Sequence, residues 1–118
     1  MKHQNDRVKL NMKSPHRRSV IRNQAIHLIT YGHLVSTKTR VKEVQRFVEK
    51  LVTVARQGNL FNVRRRALSL IPYSQSALKK LFTEIAPKYV ERPGGYTRVI
   101  PMGRRVSDTA NIAKLEWV

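Results

Sequence analysis

Histidine is the residue type most often recruited for proton transfer and metal ligation, and this chain has four: His3, His16, His27 and His33. None has a second ligand at metal-binding spacing, and no HExxH pair occurs. A serine, a histidine and an aspartate can always be picked out. Here Asp6 and Asp108 lie far apart in sequence, and no GxSxG marks a nucleophile. The absence of cysteine removes disulfides, zinc fingers and thiolate chemistry. Pro93-Gly94-Gly95-Tyr96 is too short for a phosphate-cradling loop, and no GK[ST] follows it. A metal-dependent nuclease needs clustered carboxylates, whereas the seven acids are scattered. The expectation is therefore no enzyme, no metal, no cofactor and no small-molecule substrate.

The residues that remain are arginines and lysines. There are 24 of them against 7 acids, a net charge of +17 in 118 residues. Residues 1–66 carry 16 basic and 3 acidic side chains, and residues 67–118 carry 8 and 4. Such self-repulsion opposes a compact state unless a polyanion neutralises it, and nucleic acid is the commonest polyanion. The candidate contacts fall into clusters. Lys2, Arg7, Lys9 and Lys13 lie in an opening stretch with no helical or strand period. This reads as a basic arm, residues 1–13, able to order against phosphates. Arg17, Arg18 and Arg22 follow, then Lys38, then Arg64 and Arg65 beside Arg66. Arg98, Arg104 and Arg105 stand after the glycine pair. Gly94 and Gly95 suit a tight turn and also a close approach of a nucleotide backbone. Tyr96 suits either a base or the core.

Positioning these groups requires a framework for residues 14–118. Ser14-Pro15 reads as a helix start, with Ser14 as cap, and Gly32 as the stop. Ile21, Ala25, Leu28 and Ile29 form the apolar stripe between them. His33-Leu34-Val35 reads as a short strand, and Thr37 or Thr39 as the cap of a long helix. Val41, Val44, Val48, Leu51 and Ala55 recur in that helix at spacings of three and four, with Phe47, Val52 and Val54 widening the stripe. Gly58 ends it and Asn59 caps a third helix, whose inward residues are Leu60, Val63, Ala67 and Leu70 or Ile71, and which Pro72 stops. Ser74 or Ser76 starts a fourth, buried through Leu78, Leu81, Phe82 and Ile85 and closed at Ala86-Pro87. Residues 96–100 and 111–118 then alternate as strands, joined by a basic connection, with Ala113, Leu115 and Trp117 on one side. About four helices on a small sheet make one two-layer α+β domain.

Several of these stretches together resemble the bacterial large-subunit ribosomal protein seventeen family. LFTEIAPKYVERPGGYTRVI at 81–100 carries the family's GGYTR signature. The opening MKH, the LN at 10–11, HRR…RNQA at 16–25, VKEVQRFVEKLVTVAR at 41–56 and the closing SDTANIAKLEWV resemble the rest, in order. The late loop departs from the family pattern at Ser107-Asp108 and Ala110-Asn111, and Met12 stands where a basic residue is common. Many members also carry an acidic or low-complexity tail beyond the position of Val118.

The resemblance implies helices over a small mixed sheet. It implies a structural protein that binds large-subunit ribosomal RNA near the peptide exit region, beside neighbouring ribosomal proteins, in the cytoplasmic large subunit or an organellar counterpart. It assigns Lys2, His3, Leu10 and Asn11 to the arm, and His16, Arg17, Arg22 and Asn23 to the RNA-facing start of the first helix. The signature itself is Gly94, Gly95, Tyr96, Thr97 and Arg98. The rival class is a basic DNA-binding or nucleoid-associated protein, with Arg17, Arg18 and Arg22 entering a major groove. Against it, no helix-turn-helix pair of short spacing is apparent, and the basic residues are spread along the chain. No run of about twenty apolar residues exists to span a membrane, and the first residues lack the apolar centre of a secretion signal.

Overall fold

The computed structural model describes His3 and residues 8–118. Four α-helices, α1 (Ser14–Tyr31), α2 (Lys38–Ala55), α3 (Phe61–Leu70) and α4 (Gln75–Lys80), combine with β1 (His33–Thr37), β2 (Thr97–Arg104) and β3 (Asn111–Trp117). The strand order is β1-β3-β2, and both pairings are antiparallel. The sheet is thus antiparallel throughout, not mixed. β3 occupies the centre, so β1 and β2, which run the same way, never meet.

Register explains how one face of the sheet becomes core. Leu34 and Val99 flank Leu115 on neighbouring strands, and all three point toward the helices. One residue on, His33 and Arg98 flank Glu116 on the opposite face. α2 packs against all three strands and also against α1 and α3. Contact with both the sheet and other helices accounts for the breadth of its buried stripe: Val41, Val44, Val48, Leu51, Val52 and Ala55. Ala25, Leu28 and Ile29 of α1 and Val63 and Ala67 of α3 are buried as their spacing predicts.

The local signals fare unevenly. Gly32 ends α1 in the left-handed conformation, with φ of 82°, and its N–H donates to the Leu28 carbonyl. Ser74 caps α4 by accepting a hydrogen bond from the Ala77 N–H at 3.2 Å. Ser14, by contrast, is already helical; Lys13 holds the cap position and no side chain satisfies the first N–H groups. Thr37 is the residue before α2 but makes no capping bond. Asn59 lies outside α3, and Leu60, expected inside, is 63% exposed because it precedes the first helical turn.

The fourth helix also changes pitch. Beyond Lys80 the chain continues as a π-helical turn, Leu81–Ile85, and a 3₁₀ turn, Ala86–Tyr89. Pro87 has no N–H for the carbonyl four residues earlier, and its ring would crowd that carbonyl, so an α register cannot continue through it. The Ala86 N–H bonds back to Leu81 instead. The wider turn keeps Leu81, Ile85 and Ala86 buried.

Candidate nucleic-acid interface

The start of α1 is electropositive on two counts. Its first N–H groups carry no side-chain cap, and its first turn holds no acid. Arg17 and Arg18 stand there, with His16 and Asn23 exposed. Placing cations at the positive end of a helix dipole opposes folding, and a bound anion would reverse that penalty. Of the preceding arm, Lys2 and Arg7 lie outside the described residues. His3 is exposed. Leu10 and Asn11 turn the chain with φ of 58° and 52°, and the Val8 N–H donates to Glu43 Oε1 at 3.3 Å. Lys9, Asn11 and Lys13 are exposed along this segment.

The glycine pair sits in a turn that is anchored from beneath. Gly95 has φ of 64°, a conformation that glycine adopts without penalty. Tyr96 does not face outward: it is 0% exposed, packed tilted on Tyr89 at 5.3 Å between ring centroids. Its place as an RNA contact is therefore corrected to core. Tyr96 precedes β2; within the strand Thr97 and Val99 face the helices, and Arg98 between them shares the outer face with Glu116.

The residue that sequence reasoning missed is Arg56, just past α2. Its guanidinium donates to the carbonyls of Arg92 at 2.6 Å and Val90 at 2.8 Å, and to the Tyr96 hydroxyl at 3.2 Å. Thr53 Oγ1 lies 3.2 Å from the same hydroxyl. Thr97 donates to Glu49 Oε1 at 3.0 Å, and the Tyr89 hydroxyl donates to the Val118 carbonyl at 2.9 Å. This arginine looks, in sequence, like any other basic residue of a basic chain. Only its partners, 34 and 36 residues away, reveal an internal clamp on the turn.

Beyond the turn, β2 and β3 project as a hairpin whose residues 100–109 are all exposed. The register slips between Pro101 and Arg104, and Gly103 within that stretch has φ of 87°. Arg98 pairs with Glu116 at 3.0 Å, and Lys114 lies 3.5 Å from that carboxylate. The tip is ordered by Arg105, which grips both oxygens of Asp108 at 3.0 and 2.6 Å. That bond, with a second from the Ala110 N–H, holds the Asp108 carboxyl down at about 2. Arg105 is thus already engaged, and Arg104 is the arginine there without a carboxylate partner among the described residues. Val106, between them and Asp108, is fully exposed.

Arg64, Arg65 and Arg66 all lie exposed on α3, and Lys38 is exposed at the start of α2. The sequence from Arg7 to Lys42 contains no acid, nor does that from Arg56 to Lys80. α1 and α3 are therefore free of carboxylates, and Arg22 of α1 reaches across to Tyr73 after α3. The structure thus links α1 to the segment after α3 through Arg22 and Tyr73, while Arg98, Arg104 and Arg105 belong to the hairpin. Among the described residues no group of three or more histidines and acids could hold a metal ion, and no helix is long and apolar enough to cross a membrane.

A family model described as ribosomal protein L17 matches residues 20–118. The large ribosomal subunit protein bL17 of Erythrobacter litoralis is 42% identical over 118 residues, covering 100% of this chain and 83% of its own length. Its counterpart from Borrelia hermsii is 44% identical over 110 residues, 93% of this chain and 88% of the relative. That from Desulforudis audaxviator is 42% identical over 110 residues, 93% and 96% respectively.

Proposed function

The chain belongs to the ribosomal protein L17 family, and from that premise we propose that it binds and stabilises large-subunit ribosomal RNA as a structural constituent of the large ribosomal subunit. The family is one of ribosomal structural proteins, not of enzymes. The observation that carries the RNA reading is the acid-free basic surface of α1 and α3 on a chain of net charge +17. Surface cations of one sign have no internal partners to satisfy, and a folded polyanion supplies phosphates at many positions.

Each element has a distinct part in that interaction. The uncapped start of α1, with Arg17 and Arg18, presents N–H groups and guanidinium forks to phosphate oxygens. The hairpin extends Arg104 away from the core, into reach of a second RNA segment. The Arg56 clamp fixes where that hairpin leaves the domain. Phosphate contacts of this kind position the protein, and RNA shape supplies discrimination. Neighbouring large-subunit proteins are the further partners.

Sedimentation of bacterial large subunits carrying a tagged copy of this chain tests the proposal. After a wash at about 1 M salt, where the screening length falls to roughly 3 Å, the chain should remain with the subunit. Release of most of it into the soluble fraction would mark a peripheral, adventitious cation rather than a built-in component.

A further inference from the structure

Three aromatic rings are left in solvent on the acid-free surface, Tyr31, Phe61 and Tyr73, and the last two each have an arginine over the ring. Phe61, the first residue of α3, is 66% exposed, with the Arg65 guanidinium carbon 5.6 Å from its ring centroid. Tyr73, just past α3, is 61% exposed, with that of Arg22 at 5.9 Å. A single exposed aromatic residue is ordinary. Two such rings bracketing one helix, each paired with a cation and with no carboxylate between Arg56 and Lys80, form a pattern. Between them the outer face of α3 carries Asn62, Arg65, Arg66 and Ser69 at helical spacing, and these four line a shallow concavity.

The chemistry of that surface selects its occupant. A protein partner is poorly served by a face with cations of one sign, unless it is itself strongly acidic. A regular A-form duplex offers phosphates to the arginines but keeps its base faces stacked inside, where an aromatic ring cannot reach them. An unpaired nucleotide offers both: a phosphate for the guanidinium and a π-face for the ring. A guanidinium held against the ring also limits its motion, so less freedom is lost on stacking.

We propose that Tyr73 and Phe61, each backed by its arginine, form a stacking site for unpaired nucleotides of the bound RNA. The site rests on the RNA-binding reading and goes beyond it by naming the RNA form that this face takes: single-stranded loop or bulge rather than helix.

The test compares the unsubstituted protein with the double variant Phe61→Leu/Tyr73→Leu, using a twelve-nucleotide oligouridylate and an RNA duplex of twelve base pairs as probes. Both side chains are exposed, so leucine should leave the melting temperature nearly unchanged. Each base-stacking contact is worth roughly 5- to 150-fold, so the variant, which removes two, should lose about 30-fold or more in affinity for the single strand. It should lose little on the duplex, with the same salt slope on both, because no phosphate contact is removed. Tyr73→Phe alone should retain full single-strand affinity, since stacking needs the ring and not the hydroxyl. Unchanged single-strand affinity in the double variant would overturn the stacking site and leave the RNA-binding reading standing. Failure of the unsubstituted protein to bind either RNA would overturn both.

Discussion

Replacing Tyr96 by alanine should destabilise the protein by about 3–5 kcal/mol, the range for truncating a fully buried aromatic side chain. Tyr96 is the largest of the fully buried side chains. Its removal would open a cavity against Tyr89 and strand the Arg56 and Thr53 groups that meet its hydroxyl. Tyr96→Phe separates the two losses. It keeps the ring and removes only the hydroxyl, so a cost of about 1 kcal/mol is expected. Arg56→Ala should fall between them, at roughly 2 kcal/mol, because two exposed backbone carbonyls and the part-buried Tyr96 hydroxyl lose a charged donor. Urea unfolding of the three variants measures this order directly. A melting midpoint for Tyr96→Ala equal to that of the parent would mean that the ring is not packed, and would reopen the possibility of a base contact at this position.

The second large effect concerns affinity. The triple variant Arg17→Ala/Arg18→Ala/Arg104→Ala should bind large-subunit ribosomal RNA with a flatter dependence on salt. Each phosphate contact contributes about 0.7–0.9 to the slope of log K against log salt. Loss of three contacts should reduce the slope by roughly 2–3 units. Between 50 and 200 mM salt, the variant should therefore lose up to about 40-fold less affinity than the parent loses. Stability should not fall with it, and relief of cation repulsion at the start of α1 should raise it slightly. Titrations at four or five salt concentrations decide the matter. An unchanged slope would take both the α1 start and the hairpin out of the interface. Arg105 is left out of this set deliberately. Its guanidinium is committed to Asp108, so its replacement would disturb the hairpin tip as well as any phosphate contact.

Much of the framework was legible because burial follows period. The three- and four-residue recurrence of Val41, Val44, Val48, Leu51 and Ala55 placed α2, and the alternation of Ala113 and Leu115 placed β3. Gly32 was legible for a different reason: the left-handed stop depends on that residue alone. Most of the failures depend on partners distant in sequence; the α1 boundary, displaced by one residue, does not. Ser14 has the right chemistry for a cap, but the helix begins at the residue itself. β2 was expected to end at Ile100 and runs to Arg104, because pairing with β3 carries it past a register slip that no local pattern announces. The site divides the same way. Exposed arginines on α1 and α3 could be picked out by type and spacing. Tyr96 could not be assigned to base or core, because either fits a strand residue after a glycine turn. Arg56 was invisible as a clamp for the converse reason: its carbonyl partners carry no sequence signature.

The most direct test of the central claim is a competition for the protein between large-subunit ribosomal RNA and duplex DNA at one fixed salt concentration, near 150 mM. Charge alone would favour neither strongly, since both are dense polyanions. A surface shaped for folded RNA should prefer the ribosomal RNA by about tenfold or more, and equal concentrations of DNA should displace little of it. Equal affinity for the two, or a preference for DNA, would contradict the assignment of this basic surface to ribosomal RNA.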